Sequence, residues 1–145
     1  MPEVFVSSVI PAQADAVWAV IRDFNALPEW HPGIAQSRIE GDRASDSVGC
    51  IRNFQLADGG TIREQLLALD DRERRCAYTI LESPLPLWDY VAWLYLLPIT
   101  DGGQCYAAWT ARFACSPGEA DGLVDTVGNG VFQAGFDALK QRFGG

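Results

Sequence analysis

The order of the predicted elements is the feature that most constrains the fold: many short strands precede one long amphipathic helix. Within Ala35–Ala114, stretches rich in β-branched and aromatic residues alternate with tight turns such as Gly59-Gly60 and Gly102-Gly103. After Pro117, apolar residues recur at helical spacing as far as Phe143. Strands joined by short turns pair antiparallel, so the sheet they form is the surface that must cover the apolar stripe of the last helix.

A further strand and two short helices complete the predicted fold. Pro11 is predicted to open the first helix, and the proline-rich segment 25–33 has room for only a short helical turn that ends before Pro32. We therefore expect an α+β helix-grip architecture, in which residues 1–145 form a single domain and a curved seven-stranded antiparallel sheet surrounds the C-terminal helix. The predicted strands are Glu3–Ile10, Gln36–Glu40, Gly49–Leu56, Thr61–Leu69, Arg75–Glu82, Trp88–Pro98 and Gln104–Ala114.

The charge of the chain argues against several classes of partner. It has 11 Lys and Arg against 19 Asp and Glu, a formal net charge of −8. Nucleic-acid binding depends on Lys and Arg that neutralise phosphates, and no basic cluster stands apart from acidic neighbours here. The longest apolar run, Val91–Leu97, is too short to span a bilayer. We expect neither a nucleic-acid partner nor membrane insertion.

The cysteines and the single histidine bear on metals and location. The four cysteines form no C-x-x-C pair, and one histidine is too few for an ordinary zinc site, so no metal or cofactor is predicted. Scattered cysteines of this kind are typical of reduced, buried thiols. The first basic residue is Arg22, so the start of the chain lacks the positive region of a signal peptide. These features predict a cytoplasmic protein.

The hairpin around Asp58 places two charges on an otherwise apolar face. Period-two alternation assigns the even positions of both strands to the interior, and a three-residue turn at Ala57–Gly59 puts Arg52 opposite Glu64. A two-residue turn would separate the two charges onto opposite faces, against the apolar pattern. The residues predicted to face inward are Arg52, Phe54, Leu56, Ile62 and Glu64.

A buried Arg–Glu pair has two explanations. Burial costs several kcal/mol for each charge, as an order of magnitude, unless the charges pair and find further polar partners. The pair can therefore lie beside a ligand or water, or it can be a purely structural salt bridge at the edge of the sheet. The sequence pattern leaves both open.

The last helix carries glycines on its apolar stripe. Val127, Val131, Gly128 and Gly135 fall on one side of a helical wheel. Glycine inside a helix costs about 1 kcal/mol relative to alanine. Either the helix approaches the sheet closely at these points, or the small residues leave room for a guest molecule. Gly130 falls away from the stripe, and the pattern does not explain it.

Aromatic side chains are predicted to complete the inner face. Tyr78 and Ile80 share a face in one strand, Trp88 and Tyr90 share a face in the next, and Trp109 faces inward from the last. These residues can simply be core. Buried phenols need hydrogen-bond partners, however, and tyrosines beside an Arg–Glu pair would suit the polar end of a flat, apolar ligand.

Several short motifs in order resemble a known superfamily. The chain resembles the START-like helix-grip superfamily (SRPBCC), in particular its polyketide cyclase/dehydrase-like branch, and more distantly the plant abscisic-acid receptors. The similarity extends over essentially the whole chain. The motifs that carry it are Val17-Trp18-Ala-Val-Ile-Arg-Asp-Phe24, Trp30-His31-Pro32, Gly49-Cys-Ile-Arg52, Arg63-Glu64-Gln-Leu-Leu-Ala-Leu-Asp-Asp71, Tyr78-Thr-Ile80, Tyr90 and Ala107-Ala-Trp109.

The resemblance implies a cavity between the sheet and the last helix. His31 matches a position where the plant receptors place a lysine that binds the ligand carboxylate, and Arg52 and Glu64 match a polar pair of the pocket. The hairpin turn is shorter than the receptors' gate, and Pro84-Leu-Pro86 replaces their latch, which argues against hormone-type gating. The positions that match lining residues are Tyr78, Ile80, Leu87 and Tyr90.

Three functions are compatible with these observations. The first is a binding protein for a small apolar or aromatic molecule, such as a lipid or a polyketide-like compound. The second is a cyclase or dehydratase, whose acid–base candidates are His31, Glu64 and Tyr78 or Tyr90. A lone histidine in a loop is, however, commonly just polar surface. The third is an interaction module without a ligand, in which an exposed Val91–Leu97 would favour a homodimer through that strand.

Overall fold

The computed structural model describes residues 1–144 and contains one curved antiparallel sheet. Its seven strands follow the order β1-β7-β6-β5-β4-β3-β2, so that β1 and β2 are the free edges of a sheet that curls without closing. This confirms the predicted fold class. The strands are β1 (Glu3–Ile10), β2 (Ile34–Ile39), β3 (Ile51–Leu56), β4 (Thr61–Asp70), β5 (Arg75–Glu82), β6 (Leu87–Ile99) and β7 (Gln104–Cys115).

Helices cover the concave face of the sheet. Two short helices, α1 (Ala14–Ile21) and α2 (Leu27–Trp30), lie between β1 and β2. The last helix is continuous but changes its winding along its length. It consists of a 3₁₀ turn (Pro117–Glu119), α3 (Ala120–Asp125), a π-helical segment (Thr126–Gln133) and α4 (Ala134–Gly144). Of the helices that the structure describes, none has the length and apolar character needed to cross a membrane.

The first helix begins later than its proline predicts. Pro11 lies in a bend, and α1 starts only at Ala14. The backbone N–H of Ala12 donates to the carbonyl oxygen of Ile10 at 2.8 Å. This hydrogen bond closes a tight turn and delays the helix by three residues.

The register of the β3–β4 hairpin confirms the predicted three-residue turn. Arg52 lies opposite Glu64, and Phe54 lies opposite Ile62. The N–H of Leu56 donates to the carbonyl oxygen of Gly60 at 2.7 Å, which closes the loop. Gly59 has a φ of +103°, the left-handed conformation that such a loop requires and that glycine adopts without strain. Both charges therefore point to the concave side.

Close packing explains the two glycines on the apolar stripe of the last helix. A Cβ atom added at Gly128 would lie 3.3 Å from the side chain of Val4, and one at Gly135 would lie 3.0 Å from the side chains of His31 and Trp109. The ring of Trp109 stacks on Phe132 with centroids 4.5 Å apart. The helix is held against the sheet at these positions, so they leave no room for a guest.

A bulge in β6 overturns one expectation about the inner face. Trp88 is 53% exposed, whereas Tyr90 is buried, so the two do not share a face. The pairing of β6 with β7 shifts between Trp88 and Val91, and Asp89 within the bulge has a φ of +52°. The extra residue reverses the alternation and turns Trp88 outward.

The apolar run Val91–Leu97 contributes to both faces of the sheet. Ala92, Leu94 and Leu96 are buried on the concave side, whereas Val91, Trp93 and Leu97 are partly exposed on the convex side. Because β6 is paired with both β5 and β7, it has no free edge here. A second copy could therefore not add to this strand edge to edge, and the predicted homodimer through it would have to use the convex face.

Candidate functional site

A cavity of about 300 Å³ lies between the concave face of the sheet and the π-helical segment. The hairpin β3–β4 and the loop after α2 form its other walls. The structure brings together these residues predicted from the sequence: His31, Arg52, Phe54, Leu56, Ile62, Glu64, Tyr78, Ile80, Tyr90, Trp109, Val127 and Val131. Further lining residues are Leu27, Gly33, Ile34, Ala57, Asp58, Leu85, Thr126 and Gly130.

Leu87 is the one predicted site residue that does not line the cavity. It begins β6 and pairs with Cys115, and its backbone N–H donates to the carbonyl oxygen of Leu85 at 2.8 Å. Leu85, held between two prolines, lines the cavity instead. Alternation along the strand could not reveal this, because Leu85 precedes the strand.

Gly130 is the most informative residue that the pattern failed to place. It lies in the π-helical segment and lines the cavity at an exposed position. An added Cβ atom would meet nothing within 4 Å beyond the neighbouring backbone of its own helix, so tertiary packing does not require glycine here. The wider winding of a π-helix changes which side chains face the sheet, and π-segments are frequent at functional sites. The sequence pattern contains no sign of this change, because Gly130 off the apolar stripe does not by itself indicate a π-helix.

Arg52 is held from three sides. Its Nε and Nη2 both donate to Oε1 of Glu64, at 2.8 and 2.6 Å. Its Nη1 donates to the backbone carbonyl of Phe24 at 3.1 Å, and the Phe24 ring covers the guanidinium at 3.9 Å. The guanidinium is thus fixed by the charge of Glu64, a backbone acceptor and an aromatic face.

The second oxygen of the Glu64 carboxylate faces the cavity. Oε2 accepts no hydrogen bond from the described residues, although Glu64 is only 5% exposed. Among those residues, no fully enclosed side-chain nitrogen or oxygen lacks a partner, so Oε2 must be open to the cavity that Glu64 lines. Burial raises the pKa of Glu64, and the neighbouring Arg52 opposes that rise.

His31 is buried and uses both of its ring nitrogens. Nδ1 accepts the backbone N–H of Gly33 at 3.0 Å, which leaves the proton on Nε2 to be donated to the carbonyl oxygen of Val131 at 2.7 Å. Burial lowers the pKa of His31 and keeps the imidazole neutral. The side chain is 2% exposed rather than a polar group of a surface loop. It forms part of the wall, with no nitrogen free for a ligand or for proton transfer.

The two tyrosines supply hydroxyl groups at the same cavity. The Tyr78 hydroxyl accepts a hydrogen bond from Nε1 of Trp109 at 3.0 Å and retains its own proton. The Tyr90 side chain lines the same cavity, and its hydroxyl has the Tyr78 hydroxyl as a hydrogen-bonding neighbour. Burial raises the pKa of both phenols, so both stay protonated at neutral pH.

A family model confirms the resemblance seen in the sequence. The model described as "Polyketide cyclase / dehydrase and lipid transport" matches residues 1–144. The chain belongs to this family. Its members' fold is that of a hydrophobic ligand-binding domain, in agreement with the apolar cavity. No curated protein matches the chain significantly in sequence.

Solved structures share the fold of this polyketide cyclase/dehydrase and lipid transport family member. A Thermobifida fusca protein is 34% identical, with a TM-score of 0.89 over 99% of this chain and 94% of its own. The protein XoxI from Bacillus cereus is 28% identical, with a TM-score of 0.88 over 99% and 96% of the two chains. Norcoclaurine synthase from Thalictrum flavum, solved with dopamine and hydroxybenzaldehyde, is 20% identical, with a TM-score of 0.75 over 97% and 84%. At that identity the last similarity concerns the fold alone.

Proposed function

We propose that the protein binds a small, largely apolar or aromatic molecule, lipid or polyketide-like, in the cavity between the sheet and the last helix. The cavity of about 300 Å³ lies at the lower end of the range usual for small-molecule sites. Apolar and aromatic side chains form most of its lining, and a few polar groups converge on it. This combination is typical of a ligand site.

The open oxygen of Glu64 is the observation that carries this proposal. A purely structural salt bridge would be expected to engage both oxygens of a carboxylate, because an unpartnered buried acceptor costs free energy. Here Arg52 contacts only Oε1, and Oε2 faces an apolar space. A molecule that fills this space and offers a hydrogen bond would satisfy Oε2.

A cavity-filling variant tests the proposal. Val131→Phe places a phenyl group in the cavity, and Val91→Phe makes the same change on the convex face as a control. Native mass spectrometry of the purified protein is combined with thermal-shift screening of apolar and aromatic compounds. We expect ligands that bind the unmodified protein and Val91→Phe but not Val131→Phe. If no compound of a broad library binds, the proposal is wrong, and the interaction module without a ligand becomes the better hypothesis.

Catalysis at the same site is a second candidate function, favoured by the environment of Glu64. A carboxylate with one free oxygen and a pKa raised by burial is suited to general acid–base chemistry. His31, the other candidate from the sequence, has no free nitrogen. A cyclase or dehydratase would lose turnover in Glu64→Gln while ligand binding persists. Equal turnover in Glu64→Gln and the unmodified enzyme would exclude this role.

A further inference from the structure

The charges that line the cavity are nearly balanced and leave no unpaired cation. The lining contains one arginine, Arg52, and two carboxylates, Glu64 and Asp58, whereas His31 is held neutral by its two hydrogen bonds. Arg52 has N–H groups left over, but its charge is already matched by Glu64 at 2.6 Å. A ligand carboxylate would add a further negative charge in a low-dielectric space beside Glu64. Such a charge is costly to bury.

A cationic ligand is disfavoured for the complementary reason. An ammonium group at Oε2 of Glu64 would place a second positive charge close to the guanidinium of Arg52, which is itself buried. The two cations would then share a single buried carboxylate. A neutral group avoids both penalties.

The polar groups of Glu64 and Tyr90 in the cavity favour a ligand group that can both donate and accept a hydrogen bond. Oε2 of Glu64, when ionised, can only accept, whereas the protonated hydroxyl of Tyr90 can both donate and accept. Both side chains line the same cavity, and the Tyr90 hydroxyl can still donate its proton when it accepts from Tyr78. A hydroxyl group of the ligand can donate to the carboxylate and still accept from a phenol, so it suits this pair better than a carbonyl group, which accepts only.

The aromatic residues that line the rest of the cavity favour a ligand with aromatic rings. Phe54, Tyr78, Tyr90 and Trp109 all line the cavity, and the first three belong to adjacent or nearly adjacent strands of the concave face. Aromatic side chains stack on flat ligands with offset or edge-to-face geometry. A volume of about 300 Å³ is sufficient for a compact ring system.

We infer that the ligand is a compact, uncharged aromatic molecule whose hydroxyl group donates a hydrogen bond to Oε2 of Glu64. Carboxylic acids and simple hydrocarbons of the same shape are then poorer ligands. This inference rests on the proposed function, because it assigns the chemistry of the molecule that occupies the cavity.

A matched series of probes tests the inference on the unmodified protein. Naphthalene, 2-naphthol, 2-naphthoate and 2-naphthylmethylamine share one ring system and differ in the polar group. Dissociation constants are measured at pH 7 by isothermal titration calorimetry or by ligand fluorescence. Because a hydrogen bond to a charged group strengthens binding, we expect 2-naphthol to bind about tenfold more tightly than naphthalene. It should also bind at least about tenfold more tightly than 2-naphthoate and 2-naphthylmethylamine. Equal or tighter binding of either charged probe overturns the inference.

Two variants test which protein groups cause the preference for 2-naphthol over naphthalene. Glu64→Gln removes the anionic acceptor and should reduce the preference for 2-naphthol over naphthalene to less than about threefold, whereas naphthalene still binds. Tyr90→Phe removes the second hydroxyl without leaving Arg52 unpaired, and it should reduce the same preference to a smaller extent. If Glu64→Gln does not fold, the probe series on the unmodified protein and on Tyr90→Phe decides the matter. A preference unchanged in every folded variant overturns the assignment to these groups.

The outcomes separate this inference from the proposed function. Naphthalene binding that is lost in Val131→Phe would place naphthalene in the cavity. If 2-naphthol then binds no more tightly than naphthalene, the inferred ligand class is wrong, whereas the proposed binding function stands. If none of the four probes binds and the broader library also fails, both are overturned.

Discussion

The imidazole of His31 joins two parts of the chain that lie 100 residues apart in sequence. It connects the loop after α2, through the N–H of Gly33, to the π-helical segment, through the carbonyl of Val131. Because both bonds require the neutral tautomer with its proton on Nε2, protonation of Nδ1 would set two donors against each other. The residue therefore acts as a cross-link whose strength depends on pH.

The pH dependence of stability tests this cross-link. Burial lowers the folded-state pKa of His31 below the unfolded value of about 6.5, so its contribution to stability is present above that value and is lost as the pH falls below it. We expect the free energy of unfolding, measured by urea denaturation, to fall between pH 7.5 and 5.5. The raised pKa of Glu64 has the opposite effect on the free energy of unfolding, because its contribution increases as the pH falls. His31→Gln should therefore remove the fall, and identical slopes in both proteins would contradict the assignment.

The Arg52–Glu64 pair predicts a non-additive response to mutation. Arg52→Met alone leaves a buried carboxylate without its partner and should cost about 3 kcal/mol, limited by the ease with which Glu64 takes up a proton. The double variant Arg52→Met/Glu64→Leu removes both charges and should recover most of that loss. A double-mutant cycle from urea denaturation measures the coupling. Additive losses would mean that the two side chains are solvated independently.

At the scale of the element, the π-helical segment determines which helix residues face the cavity. The segment Thr126–Gln133 presents Gly130 at an exposed part of the lining, whereas α4 places Gly135 against the sheet. Two glycines in one helix thus have different roles. One leaves space open, and the other permits close contact.

Alanine substitutions at these two glycines should have opposite effects. Gly130→Ala meets no neighbour within 4 Å and should raise the free energy of unfolding by up to about 1 kcal/mol, through helix propensity. Gly135→Ala places its Cβ atom 3.0 Å from the rings of His31 and Trp109 and should lower it by about 1–3 kcal/mol. Thermal and urea unfolding of the two variants provide the comparison. A stabilising Gly135→Ala would contradict the packing described.

The strands could be predicted from the sequence, whereas the π-helical segment and the bulge in β6 could not. Period-two alternation and turn glycines located all seven strands, and the hairpin turn fixed Arg52 opposite Glu64. The π-helical segment was not predictable, because apolar spacing along a helix does not reveal a change of winding. The bulge at Asp89 likewise left no mark in the alternation, so Trp88 was assigned to the wrong face. The use of both nitrogens of His31 depends on backbone groups that no side-chain pattern encodes.

At the scale of the whole molecule, ligand binding should add to stability by mass action. A ligand that binds only the folded protein raises the free energy of unfolding by about 2.7 kcal/mol at one hundred times its dissociation constant. We expect this gain, measured by urea denaturation, in the unmodified protein and in Val91→Phe. Val131→Phe should show none, because its phenyl group occupies the cavity. A gain of equal size in Val131→Phe would place the ligand elsewhere.

The exposed convex face of β6 is compatible with the predicted homodimer. Val91, Trp93 and Leu97 are partly exposed there, on a strand that has no free edge. Sedimentation velocity on the unmodified chain tests whether two copies associate.

The pairing of β1 with β7 has a consequence for how the chain acquires its cavity during synthesis. Residues Glu3–Ile10 find their partner only when Gln104–Cys115 has left the ribosome, and the helical wall follows later still. Until then only the short helices α1 and α2 are available to cover the concave aromatic surface. A nascent chain that ends before the last helix therefore lacks one wall of the proposed ligand site.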